Sequence, residues 1–217
     1  MMRARRSLPS PASAAALRRS RLYSEELGIE LARNTEKELF KWFLASILFG
    51  ARISESIARH TYQSFARYRL LDPRRILAAG WDFLVNPVLR EGGYVRYDEK
   101  TAREVLDNCA MLIAEYRGSL RRLHAAARDS KDLEARLLHF YGVGPVTVNI
   151  FLRELRPYWK KSDPEPLSLV RQLAARRGLD LDRHRRKSRT FARIEAGLIR
   201  SRKNVRRGTA QPRALRG

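Results

Sequence analysis

From Leu22 onward apolar residues recur at helical spacing, and no segment shows the strict alternation of a half-buried strand. Asn34-Thr35 followed by Glu38 has the form of a capping box and opens a helix through Leu39, Phe40, Trp42, Phe43, Leu44, Ile47 and Leu48. Apolar residues occupy nearly its whole circumference, which predicts a central, buried helix ended by Gly50. A second helix is predicted over 54–68. Asp72-Pro73 starts a short third one reaching about Ala79, because proline suits the first helical position. Asn86-Pro87 and Gly92-Gly93 mark loops. Residues 99–116 form an amphipathic helix with Val105, Cys109, Leu112, Ile113 and Tyr116 on one face, closed by Gly118. Shorter helices follow at about 120–128 and 133–140, then a turn at 141–145 and a helix to Leu155. The last two are expected from Pro164 to Arg177, ended by Gly178, and from Phe191 to Arg200. The fold class is therefore all-α.

Charge changes this picture at the two ends of the chain. Lys and Arg number 45 against 23 acids, a net charge of +22. Residues 1–24 hold six arginines and no acid, and residues 183–217 hold thirteen basic residues and one acid, Glu195. Residues 25–182 are nearly balanced, with 26 basic and 22 acidic side chains. The pattern predicts a folded domain over 25–182 between a disordered basic arm at 1–24 and a basic helix or tail at 183–217. Such arms attract polyanions, nucleic acid before anionic membrane. An Arg-, Ala- and Ser-rich start without acids also suits an organellar targeting segment. The longest uncharged apolar run, from Trp42 to Ala51, is about half of a membrane span, so no membrane is expected. Cys109 is the single cysteine and the four histidines are scattered, which argues against a disulfide and against a zinc or iron–sulfur enzyme. An intracellular monomer is the expectation.

The informative stretch runs from Leu137 to Ile150, with a Gly142-Val143-Gly144-Pro145 turn between two helices. Glycine permits positive φ and clears side chains from the turn, and Pro145 starts the second helix. The free amides and positive dipole end of that helix form a site for a DNA phosphate, made by Gly142, Val143, Gly144, Val146 and Thr147. Val143 points inward as the hydrophobic pin of the hairpin.

On these residues the chain resembles the endonuclease III-like superfamily of helix-hairpin-helix DNA glycosylases. The resemblance covers about residues 36–175. It takes in the aromatic-rich helix from Glu38 to Phe49, Gly92-Gly93-Tyr94 before the 100–116 helix, Gly118, Leu137-Leu138, and the Gly-Val-Gly-Pro-x-Thr hairpin at 133–155. It implies two helical lobes with a DNA-facing cleft between them. Members flip a damaged base from duplex DNA into that cleft and cut its bond to the sugar. Bifunctional members carry a lysine at the position of Val146; valine forms no Schiff base, so the implied enzyme is monofunctional, with water as the nucleophile. Nothing in the sequence positions Lys160 or Lys161 as a substitute. The iron–sulfur loop of some members is missing, and the basic tail in its place offers electrostatic docking. No cofactor is expected, a monovalent cation at the hairpin being the one ion left open.

The family's catalytic aspartate follows the hairpin's second helix, and Asp163 in Ser162-Asp163-Pro164-Glu165 matches that placement. A carboxylate there would stabilise oxocarbenium charge and orient water. The same residue reads equally as a helix N-cap, with Ser162 and Glu165 as a capping box. Trp42, Phe43, Phe49 and Trp81 are candidates to line a base pocket, and Leu48 or Phe49 to insert as a wedge; simple core packing is the competing reading. A non-catalytic helix-hairpin-helix DNA binder and a basic RNA-associated protein remain alternatives to the glycosylase.

Overall fold

A computed structural model describes residues 11–208, and every regular element among them is helical. In chain order the helices are α1 (Pro11–Arg18), α2 (Tyr23–Glu26), α3 (Glu36–Gly50), α4 (Glu55–Arg67), α5 (Pro73–Phe83), α6 (Asp98–Tyr116), α7 (Leu120–Ala126), α8 (Ser130–Leu138), α9 (Pro145–Leu155), α10 (Ser168–Arg176) and α11 (Arg189–Gly208). No described helix is long and apolar enough to cross a membrane. The chain divides into two compact units: a central one, Ser24–Glu165, and a terminal one made of Met1–Tyr23 and Pro166–Gly217.

The central unit is built on α3. Thr35 Oγ1 accepts from the Glu38 N–H at 3.3 Å, fixing the helix start. The Glu38 carboxylate does not close the capping box; it accepts from the Glu30 N–H at 2.8 Å and from Lys41 at 2.6 Å. These donors outweigh the cost of burying the carboxylate and hold its pKa below the ordinary range. Residues Glu38 to Leu48 include ten buried side chains, as an apolar circumference requires. The Trp42 indole N–H donates to the Phe151 carbonyl at 3.0 Å. Phe43 meets Phe140 and Phe151 edge-on, with centroids 5.0 and 5.4 Å apart. Both rings of α3 thus pack against the elements that carry the hairpin. Gly50 completes the contact: a Cβ there would lie 2.0 Å from Thr147 Oγ1.

Around α3 the sequence signals act largely as written. Ser54 caps α4 and Asp72 Oδ1 caps α5 through the N–H groups of Arg74 and Arg75. Gly80, at φ +76°, breaks α5 where its helical pattern stops, and Asn86, extended at φ −140° and ψ 115°, interrupts the helical turns of Leu84–Leu89 at the predicted Asn86-Pro87 position. Gly118 does close α6, sharing the left-handed turn with Arg117. α8 starts at Ser130, earlier than predicted, because Asp129 Oδ1 accepts from the Asp132 N–H at 2.9 Å.

Two larger differences concern the ends. The helix predicted from Pro164 opens at Ser168, so residues 163–167 are not helical. Pro164 and Pro166 explain this, since the residue before a proline is pushed out of helical geometry. The two compact units divide at 165/166, whereas the sequence places a limit at 182. Residues 183–208 do not stand apart as a tail, residues 11–24 are not an unstructured arm, and the rest of the predicted tail, 209–217, lies outside the described residues. α1 packs on α11, and Leu17 joins a core of Val170, Leu173, Leu181, Phe191, Ile194 and Leu198. The targeting reading also rests on residues 1–10, which lie outside the described residues.

Candidate nucleic-acid interface at the hairpin

α8 and α9 are joined by a tight turn in which Gly142 adopts φ +69° and Gly144 is extended at φ −98°, ψ 178°. Val143 is buried between them, its N–H donating to the Phe140 carbonyl at 3.2 Å. Gly144 is the N-cap of α9 and has no side chain to cap it; Pro145 takes the first helical position. The first helical bond runs from the Val148 N–H to the Gly144 carbonyl at 3.0 Å. The N–H groups of Gly144, Val146 and Thr147 engage no acceptor among the described residues. A Cβ on Gly144 would meet nothing within 4 Å. The turn therefore presents unpaired amides, open space and the positive end of a helix dipole in one place. Val146 and Tyr141 flank it, 48% and 56% exposed, with Leu138 also exposed. The Thr147 side chain, by contrast, is buried against Gly50 and contributes through its backbone alone.

The turn is held from α6. Asn108, buried on that helix, donates from Nδ2 to the Tyr141 carbonyl at 2.9 Å and accepts the Tyr141 N–H at 2.7 Å. One turn earlier, the Glu104 carboxylate lies where a Cβ on Gly142 would come within 2.5 Å of it. Asn108 escaped the sequence reading because its partner is 33 residues away. Its one visible signal was an amide within the apolar stripe of Val105, Cys109 and Leu112. The carbonyls of Phe140, Tyr141 and Gly144 each already accept one hydrogen bond, which leaves a hairpin cation only their second lone pairs.

Asp163 lies in a strap tied along α9. Ser162 Oγ donates to the Leu152 carbonyl at 2.6 Å, and Asn149 Nδ2 to the Glu165 carbonyl at 2.7 Å. The fully buried Arg156 guanidinium donates to the Pro164 carbonyl and stands 3.5 Å from Asp163 Oδ1. Residues 149, 152 and 156 share one face of α9, so the helix that begins at the hairpin also fixes the strap. Asp163 keeps part of its side chain in solvent. It is not a helix cap: α10 begins at Ser168, its N-cap is Leu167, and Ser162 is occupied by Leu152. Lys161 is equally committed, its ammonium closing the end of α7 on the carbonyls of His124, Ala125 and Ala127.

The aromatic candidates separate. Trp42 and Leu48 are fully buried and have no surface to present to a base. Phe49 is half-buried, with Arg59 over its ring at 6.0 Å. Trp81 is half-buried, its indole N–H donating to the Glu99 carbonyl at 3.1 Å and Arg103 lying over the ring. Exposed apolar side chains occur instead at Phe83, Val95 and Tyr97, the last 61% exposed and left-handed at φ +65°. A cavity of about 600 Å³ opens at the start of α3, lined by Lys37, Arg69, Asp72 and Arg75 among others, and neither Asp163 nor these aromatics reach it. No group of three or more His, Cys, Asp and Glu able to hold a metal occurs among the described residues. Burial pushes the Cys109 thiol well above its ordinary range, with Asp72 adding to the shift. Compared with protein-family models, with curated proteins and with solved structures, the chain finds no match.

Proposed function

We propose that this protein binds duplex DNA through the α8–α9 hairpin and hydrolyses the N-glycosidic bond of a damaged or mispaired base turned out of the helix. The observation that carries the binding step is the Gly142–Gly144 turn. It has unpaired amides at the positive end of α9, no side chain in front of them, and a clamp from Asn108 that fixes the backbone. For the chemical step the residue is Asp163, fixed to the same helix by the strap and partly open to solvent. Its carboxylate would stabilise positive charge developing on the sugar and orient the attacking water. Val146 supplies no amine, so the sugar is not attacked by the protein and the strand stays intact. The DNA-facing cleft and the two lobes implied by the resemblance belong to this proposal, and with Leu48 buried the apolar wedge falls to the half-buried Phe49.

A second reading, a DNA binder without catalysis, draws on the ion pair between Arg156 and Asp163, which gives the carboxylate a structural use. Both readings require the hairpin to hold a phosphate, and Gly144→Asp tests that directly. Aspartate is a good N-cap, so the variant should be as stable as the parent or a few tenths of a kcal/mol more stable. Its carboxylate would meet the phosphate, and duplex affinity should fall by ~10-fold or more. Unchanged affinity would remove the hairpin from the DNA surface.

A further inference from the structure

The two arginine-rich ends of the chain, which read as separate arms, meet in one helical unit. That unit holds nearly all of the excess charge. Met1–Tyr23 and Pro166–Gly217 contain 22 basic and three acidic residues, a net +19 of the chain's +22. The 142 residues of Ser24–Glu165 contain 23 basic and 20 acidic residues, a net +3.

The folding of the unit sharpens the contrast at its surface. Glu195 is fully buried, so among the described residues the only carboxylates it shows to solvent are Asp180 and Asp182. Arg18, Arg19, Arg176, Arg183, Arg185 and Lys187 are all exposed. The apolar face of α11, with Phe191, Ile194 and Leu198, is used up in the unit's own core. None of the large exposed apolar side chains of the described residues belongs to this unit. A helix that rests on a membrane needs an apolar face to insert, and the described residues of this unit offer none. What remains is a hydrated cationic surface, the kind that exchanges counterions with a phosphodiester backbone.

The two ends are joined by specific contacts. Gly197 of α11 lies so close to α1 that a Cβ would come 2.4 Å from Ser20 Oγ and 2.9 Å from Leu17. Arg193 donates to the Ser20 carbonyl at 2.9 Å, and Arg200 lies over the Tyr23 ring at 4.3 Å. We propose that the terminal unit is a docking module for the backbone of duplex DNA, indifferent to base sequence and to damage, to which the N- and C-terminal segments contribute as one surface. The choice of duplex DNA rests on the reading of the hairpin; the polyanion surface itself does not.

The test is the slope of log affinity against log salt for an undamaged duplex, measured on the full chain. Replacing Arg18, Arg19, Arg183 and Arg185 together by Gln should make the slope shallower by up to about 3.6, at roughly 0.9 for each phosphate no longer neutralised. Replacing the exposed Arg74, Lys100, Arg121 and Lys131 of the central unit should change it by less than about 1. Lysine at the same four terminal positions should restore the parent slope, which separates charge from folding. Equal slope changes for the two Gln sets would overturn the proposal. So would tighter binding to structured RNA, or binding to anionic phosphatidylserine vesicles as tight as to duplex. If Gly144→Asp leaves affinity intact while the terminal Gln set flattens the slope, the hairpin reading falls and the module stands.

Discussion

Asn108 shows how much of the hairpin depends on a residue outside it. Both its amide nitrogen and its amide oxygen are engaged by the backbone of Tyr141, so the turn is fixed by a side chain from α6. Asn108→Ala should cost about 1–2 kcal/mol, because the part-buried N–H and carbonyl of Tyr141 both lose their partner. Duplex affinity should fall with it; equilibrium urea unfolding and binding isotherms check the two effects, and an unchanged unfolding midpoint would contradict the clamp. The glycines and Val143 were legible in the sequence, since φ +69° at Gly142 and the buried valine follow from residue type. The clamp was not, because its two halves are 33 residues apart and an asparagine on a helix carries no record of its partner. Asp163 was legible as a position only. Its cap role depended on a helix that the two prolines postpone to Ser168.

Among the elements, α9 does the organising. Its start supplies the hairpin amides, its middle packs on α3, and residues 149–156 hold the strap that carries Asp163. The packing depends on Gly50, where a Cβ would lie 2.0 Å from Thr147 Oγ1 and 3.2 Å from the Thr147 backbone. Gly50→Val should therefore destabilise the protein by about 1–3 kcal/mol, with a lower Tm as the readout, and an unshifted Tm would mean that α3 and α9 are less closely packed. Periodicity and capping residues made α3, α4, α6 and α9 readable, since each carries its own start or stop signal. The amphipathic reading of 191–200 fell short of α11, which runs from Arg189 to Gly208. Trp42 and Leu48, candidates for the base pocket or wedge, lie wholly in the core because α3 is covered on every side.

At the scale of the molecule, stability should depend on pH through two histidines. Burial lowers the pKa of His124, and the Lys161 ammonium lowers it further. Burial and Arg18 do the same to His184, against a smaller opposing effect of Asp180. A histidine whose folded pKa lies below its unfolded value contributes stability that is fully present above the unfolded pKa, near 6.5. That contribution is lost as pH falls through the folded pKa, because the unfolded chain takes up the proton first. Unfolding free energy should thus decline from pH 7 to pH 5, and His124→Gln should reduce the decline; an identical pH profile in the variant would contradict it. Composition located the excess charge at the two ends, but only the packing of α1 against α11 makes them one surface. Sequence order hid that packing, since the segments lie at opposite termini.

In the proposed reaction the hairpin presents DNA to Asp163. Single-turnover incubation with duplexes carrying alkylated, oxidised, deaminated or mismatched bases tests it most directly, with the parent protein and Asp163→Asn side by side, with and without hot alkali. Strand cleavage that appears only after alkali, on at least one duplex, and is lost in Asp163→Asn is the predicted result. Tight binding of these duplexes without cleavage on any of them, or equal cleavage by Asp163→Asn, would contradict it.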